Sequence, residues 1–246
     1  MQLLDYVIKT EDLEIRNIKL SKLLNSVIIR DGYFEDATKI YPAMPKFSLV
    51  YVTNPKYFVE NDNISCVITT KEIAPIIPKT KGLVTTNNPK LLFYAIHELL
   101  FVEETENAEL HFPSVTKTII GEKNIRYSAI DVSIAENCFF EPNITIYSKV
   151  AIGAGTYIGG SSNIGGEGFE IISTPVGNYA VPHRGKVVIG ENVTIHGNVC
   201  VDKSVFPSRA TVLDNGVSLD NHVHIAHGVQ VGENTKIAAS AMIAGN

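Results

Sequence analysis

Two hydrophobic patterns divide the sequence. In residues 1 to about 105, short β-branched runs stand between turn formers: FSLVYVT (47–53), ISCVITT (64–70) and KGLVTT (81–86). Bounded by Asn, Pro, Lys and Asp, they predict strands. Asn87-Asn88-Pro89 then supplies an N-cap and a proline for the first turn of a helix. Leu91, Leu92, Ala95, Ile96, Leu99 and Leu100 recur at helical spacing within 87–104. These elements predict a small α+β domain over residues 1–105.

The second half, 106–246, repeats every six residues. Ile134, Phe140, Ile146, Ile152, Ile158 and Ile164 form one run. Ile189, Ile195, Val201, Leu213, Leu219, Ile225, Val231, Ile237 and Ile243 form another, with Pro207 in the one slot that is not aliphatic. A helix repeats near 3.6 and an exposed strand at 2, so a period of six predicts neither. It predicts a parallel β-helix, with the aliphatics pointing inward, small residues at the corners and three hexads to each coil of eighteen. On that arithmetic position 245 stacks on position 227. Residues 165–188 hold no hexads and read as an excursion loop, the kind of insertion that sits at a binding face of a solenoid.

Composition narrows the function. Hydrophobic residues make up 45% of 246, enough to bury a core, and the formal charge of −5 with no basic stripe argues against nucleic acid as a partner. The three cysteines (Cys66, Cys138, Cys200) are unpatterned and predict buried thiols rather than disulfides or a zinc site. No apolar run reaches the ~18 residues of a membrane span. The acidic N-terminus does not read as a signal peptide, so a cytoplasmic location is expected.

The order of FSLVYVTNPKYF, SCVITT, KGLVTTNNPKLLFYAIHELL, GGEGF, PHRGKVVIGENVTIHGN and LDNHVHIAHGVQVGENT resembles the UDP-3-O-acylglucosamine N-acyltransferases of lipid A synthesis, across nearly all of 40–246. The resemblance implies an α+β nucleotide-binding domain followed by a left-handed parallel β-helix, assembled as a homotrimer whose clefts have a second subunit as their other wall. It implies N-acyl transfer to a nucleotide-linked amino sugar from a pantetheine thioester, acyl carrier protein or coenzyme A, with no tightly bound cofactor and no metal. Residue by residue, Tyr51 and Tyr57 match the rings that sandwich uracil, and Asn54 the amide that bonds the base. His227 matches the catalytic histidine and Gly245 the glycine whose amide stabilises the oxyanion. Asp220 and Asn221 are expected to orient that histidine or to bind sugar. GGEGF (165–169) would line the acceptor or pantetheine groove, and His183 in the same excursion is expected to be an exposed loop histidine or, second to that, to touch a diphosphate.

Other readings stand beside this one. Family members run on through further coils to helices that grip the carrier protein, whereas this sequence ends one residue past Gly245; Val201-Asp202-Lys203-Ser204 also replaces the usual Ile-Asp-Arg-Gly. A truncated form, or a variant using coenzyme A and another amino sugar of a surface polysaccharide, fits those departures. A non-catalytic nucleotide-sugar-binding β-helix is a second class. A metal-dependent lyase built on His222, His224 and His227 is a third; Cys200 shows no histidine partner in the sequence, so a cysteine nucleophile is not expected.

Overall fold

The computed structural model describes residues 1–100, 119–120, 125–128 and 131–245. The expected domain boundary at 105–106 lies outside them. Two units separate: Met1–Val102 with Ile171–Val181, and Glu103–Glu170 with Pro182–Asn246.

The first unit holds a five-stranded sheet in the order Val27–Arg30, Gly82–Thr85, Ile64–Thr69, Ser48–Val52, Asp36–Ala37. Its Val27–Arg30 edge is antiparallel and the remaining pairs are parallel. Helix α2 (Pro89–Leu100) follows the last strand and is capped by Asn88, whose Oδ1 accepts the Leu91 N–H at 3.1 Å. It packs on strands Ser48–Val52 and Ile64–Thr69 and against helix α1 (Leu3–Thr10), while Met44, Ile73 and Ile77 cover the other side of the sheet. A sheet covered on both faces needs apolar residues at consecutive positions, which is why these strands read as unbroken runs. Helix α1 and the strands 27–30 and 36–37 are additions to the sequence reading.

The second unit is a parallel β-helix. Ile134, Ile152, Ile189, Leu213 and Val231 stack on one face, Phe140, Ile158, Ile195, Leu219 and Ile237 on the next, and Ile146, Ile164, Val201, Ile225 and Ile243 on the third. Their side chains fill one continuous core.

Two expectations are corrected and one is sharpened. The left-handed turn of a corner falls three residues before the aliphatic, on small residues at Gly155, Ser161, Gly216, Gly228 and Ser240 and on larger ones elsewhere. Asn137, Asn143, Asn192, Asn198 and Asn234 hold φ between 54 and 65°, and His222 takes the same conformation. Asn tolerates this left-handed region better than most residues. The small or β-branched residues beside them, such as Thr156, Ser162 and Val199, are buried inside the corner.

Coil length also differs. Ile189 stacks on Leu213 and Ile195 on Leu219, twenty-four residues apart, while Ile225 stacks on Ile243, eighteen apart. The hexad around Pro207 therefore loops out between strands Cys200–Asp202 and Ala210–Leu213 instead of forming a face. A proline has no N–H to give to a ladder.

The excursion, finally, is shorter than 165–188. Pairing persists through Gly166 and resumes at Lys186. Within it, Ile171–Thr174 and Gly177–Ala180 form an antiparallel hairpin that belongs to the first unit. Its returning limb bonds to the other interruption: Arg184 N–H to Val205 O at 2.9 Å, Gly185 N–H to Ser204 O at 2.8 Å. The two insertions brace each other.

Candidate active site

His227 follows strand His224–Ile225 by two residues, beyond the prism core. The outward slot is not an open one: the residue is only 7% exposed. Gly245, one coil on, lies against the ring, and a Cβ there would stand 2.7 Å from His227 Nε2. Gly168, from the start of the excursion, covers it from another side; its Cβ would stand 3.0 Å from His227 Cδ2 and 2.7 Å from His183 Nε2. At both positions the backbone approaches an imidazole so closely that a side chain would have to move the ring.

His183 is buried, not an exposed loop histidine. The bracing of residues 184–185 by 204–205 draws it inward, where its ring meets His227 edge to face at 5.1 Å between centroids. Its Nδ1 lies 3.3 Å from Glu167 Oε2, and its backbone N–H donates to the same oxygen at 2.8 Å. Lys203 Nζ meets Glu167 Oε1 at 2.8 Å. Burial raises the pKa of Glu167, but the bonds from His183 and Lys203 outweigh it and hold the carboxyl at about 2. Glu167 is thus an anion throughout the neutral range. Phe169 beside it is 82% exposed.

Asp220 and Asn221 belong to a different corner of the coil. Asp220 Oδ1 lies 3.3 Å from His196 Nδ1 and accepts the Asn221 backbone N–H at 2.7 Å. That bond first, then His196, holds its carboxyl below the usual range. Asn221 Oδ1 accepts the Gly197 N–H at 3.1 Å. Together with Glu141, Tyr157, His196 and Asn198, Asn221 lines a polar pocket of about 510 Å³. There Tyr157 donates to Glu141 at 2.7 Å, which lowers the carboxyl and lifts the phenol to about 12. The sequence reading missed Glu141, Tyr157 and His196. The available signal was coil length, because twenty-four residues back from Asp220 is His196.

His222, His224 and His227 do not converge. His222 forms a corner, His227 lies by the next, and His224 on the face between them holds Asp202 Oδ2 at 2.8 Å through Nε2. His224 is also the in-register neighbour of Cys200, so the cysteine does have a histidine beside it across the ladder. Cys66 and Cys138 are buried, and burial pushes both thiols up, Cys66 to about 11; Cys200 is partly exposed.

In the first unit Tyr51 and Tyr57 line one pocket of about 260 Å³, with Lys39, Ile40, Val52 and Thr53. Tyr51 rests on Phe93 of α2 at 4.9 Å, whereas Tyr57 is 75% exposed. Asn54 Oδ1 is engaged in capping, accepting the Lys56 N–H at 3.0 Å, which leaves its amide N–H₂ as the group able to meet a ligand.

The bacterial transferase hexapeptide family (six repeats) matches residues 210–245. The UDP-3-O-acylglucosamine N-acyltransferase of Helicobacter pylori (strain ATCC 700392 / 26695) is 27% identical over 223 residues, covering 77% of this chain and 64% of that protein. The enzyme of the same name from Wolinella succinogenes is 35% identical over 71 residues, 28% of this chain and 22% of its own length. The chain thus spans under two thirds of the length of these relatives. Among solved structures, LpxA from Acinetobacter baumannii is 23% identical, covering 53% of this chain and 52% of that one, with a TM-score of 0.29. That overlap is too loose to carry an argument.

Proposed function

We propose, from the premise that this chain is a hexapeptide-repeat relative of the UDP-3-O-acylglucosamine N-acyltransferases, that it moves an acyl group from a pantetheine thioester to the amine of a nucleotide-linked amino sugar in lipid A or surface polysaccharide synthesis. The observation that carries this reading is the enclosure of His227 between Gly168, Gly245 and His183. An imidazole screened from bulk water and oriented by fixed groups is suited to act as a base at neutral pH.

In this reading the sugar amine attacks the thioester carbonyl as His227 takes its proton. A C–N bond forms, the C–S bond breaks, and the imidazolium returns the proton to the leaving thiolate. No covalent enzyme intermediate is needed, and a nucleophilic role for Cys200 is not part of the scheme. The Gly245 amide, fixed beside the ring, would bond the oxyanion of the tetrahedral intermediate, a donor that costs no reorganisation during reaction. Tyr51 and Tyr57 would hold the nucleobase between their rings, and the Asn54 N–H₂ would meet its polar edge. Asn221 would meet the sugar hydroxyls from the polar pocket it lines, and Asp220, already committed to His196, would hold that corner rather than orient His227.

The assembly is a homotrimer in this account, with a left-handed winding of the β-helix, as in the enzymes it resembles, since three prisms around an axis form a closed assembly with three equal clefts. A cytoplasmic location goes with soluble thioester donors; no helix among the described residues is long and apolar enough to cross a membrane.

The test is a thiol-release assay with acylated carrier protein and acetyl-coenzyme A as donors and UDP- and dTDP-linked amino sugars as acceptors, with the product amide identified by mass. Acceptor-dependent release from either donor supports the reading. Tight nucleotide-sugar binding with no release from either donor would instead identify a non-catalytic binding protein.

A further inference from the structure

We propose that Glu167 and His183 are positioning residues for His227, with Lys203 as the pin that fixes Glu167. The inference rests on the acyl-transfer reading for its kinetic consequence but not for its geometry.

Three observations converge. A fully buried imidazole is in edge-to-face contact with the candidate base, and its Nδ1 and backbone N–H address one carboxylate oxygen at 3.3 and 2.8 Å. The other oxygen of that carboxylate is held by Lys203 at 2.8 Å, so the carboxylate cannot swing away from His183 without breaking a second bond. Gly168 closes over both rings at distances where a Cβ would have to displace them, so its bare backbone bounds their placement from the remaining side.

The chemistry follows from the hydrogen-bond inventory. A carboxylate facing Nδ1 requires a proton there, so neutral His183 is the Nδ1–H tautomer and its Nε2 faces the interior beside Gly168. Because two donors and a lysine share the carboxylate, the His183 ring has one orientation, and the His227 ring packed against it inherits that restriction. The same partner relation, imidazole to carboxylate, sets ring orientation around metal-bound histidines. The titratable and charged groups around the pair are Glu167, His183 and Lys203, with the Asp202–His224 pair on the adjoining strands.

The experiment uses the full chain with ¹⁵N-labelled histidine, reading the ring nitrogens of His183 and His227 across a pH titration in the wild type, Glu167→Gln and Glu167→Asp. The nitrogen pattern should show His183 as the Nδ1–H tautomer. In Glu167→Gln the His183 tautomer pattern should scramble and kcat should drop ~10- to 100-fold with KM unchanged, the size seen when an outer partner of a metal-ligating imidazole is removed. Glu167→Asp should recover part of both. Unaltered nitrogen shifts and kcat in Glu167→Gln would overturn the proposal.

Lys203→Met supplies a second route should Glu167→Gln unfold. It frees the carboxylate without deleting it and should move the same resonances by less, and an unmoved spectrum again counts against the proposal. Should no thioester donor react, the acyl-transfer reading fails, while the nitrogen spectra still decide whether Glu167 controls the two imidazoles.

Discussion

The regular coils and the two interruptions of the β-helix do different work. Where the hexad runs unbroken, each aliphatic falls on the one a coil away, each corner turns on a left-handed residue, and the result is a rigid prism. Where it breaks, at 167–185 and 203–209, the chain supplies Gly168 and His183, which cover a histidine that the prism itself presents, and Glu167 and Lys203, which hold His183. Periodic sequence builds the support, and the chemistry gathers where the period is spent on something else. The bonds from Arg184 and Gly185 to Val205 and Ser204 tie the two interruptions together.

That division makes mutations in the two regions distinguishable. Ile158→Ala, in the core of the coils, removes a fully buried side chain and should cost ~2–5 kcal/mol of stability, read as a lower urea midpoint, with kcat of the surviving folded protein unchanged. Gly168→Ala, in the first interruption, should do the reverse. Its new Cβ displaces both imidazoles, and a misplacement of that order costs ~10²-fold in kcat with little loss of melting temperature. Equal effects of the two substitutions on kcat would erase the comparison.

At a corner, Asn198→Ala keeps the size small but loses the tolerance for φ 58°, costing ~1 kcal/mol, whereas Asn198→Gly should be close to neutral. Equal destabilisation by Ala and Gly would mean that the side chain, not the backbone angle, makes the corner.

The smallest effect concerns Glu167 and pH. Its folded pKa lies at about 2 against an ordinary 4.5, so the ionised form is the stabilised one. The contribution is present above about pH 4.5 and lost as pH falls toward 2. Because the side chain is 56% exposed, Glu167→Gln should cost no more than ~1 kcal/mol at pH 7. The gap between the two proteins should close on acidification, as followed by thermal melts at stepped pH.

How much of this was legible in sequence follows the same line. The hexads announced the β-helix because an inward slot every six residues is a direct imprint of the fold. The stacking of Gly245 on His227 could be counted because that coil has eighteen residues. The same arithmetic fails around Pro207, where an extra hexad in perfect register lengthens the coil to twenty-four. The register of side chains records facing, not how many hexads make a turn. With the coil length unknown, His196 could not be set beside Asp220, nor His224 beside Cys200. The burial of His183 depends on two loops pairing across twenty residues of sequence, and no periodicity encodes such a contact. Asn88 as a cap was legible because a cap is local; helix α1 was passed over because eight residues leave little period to read.

The central claim, that His227 within this enclosure is the base for acyl transfer, is tested most directly by comparing the pH dependence of kcat in the wild type and in His227→Ala, with sugar affinity and oligomeric state measured in parallel. The account predicts a rate that rises with pH as an imidazole loses its proton in the wild type, and in the variant a kcat lower by ~10²–10⁴-fold with that limb gone, affinity and assembly being intact. His227→Ala with near-full turnover and an unaltered pH profile would contradict it.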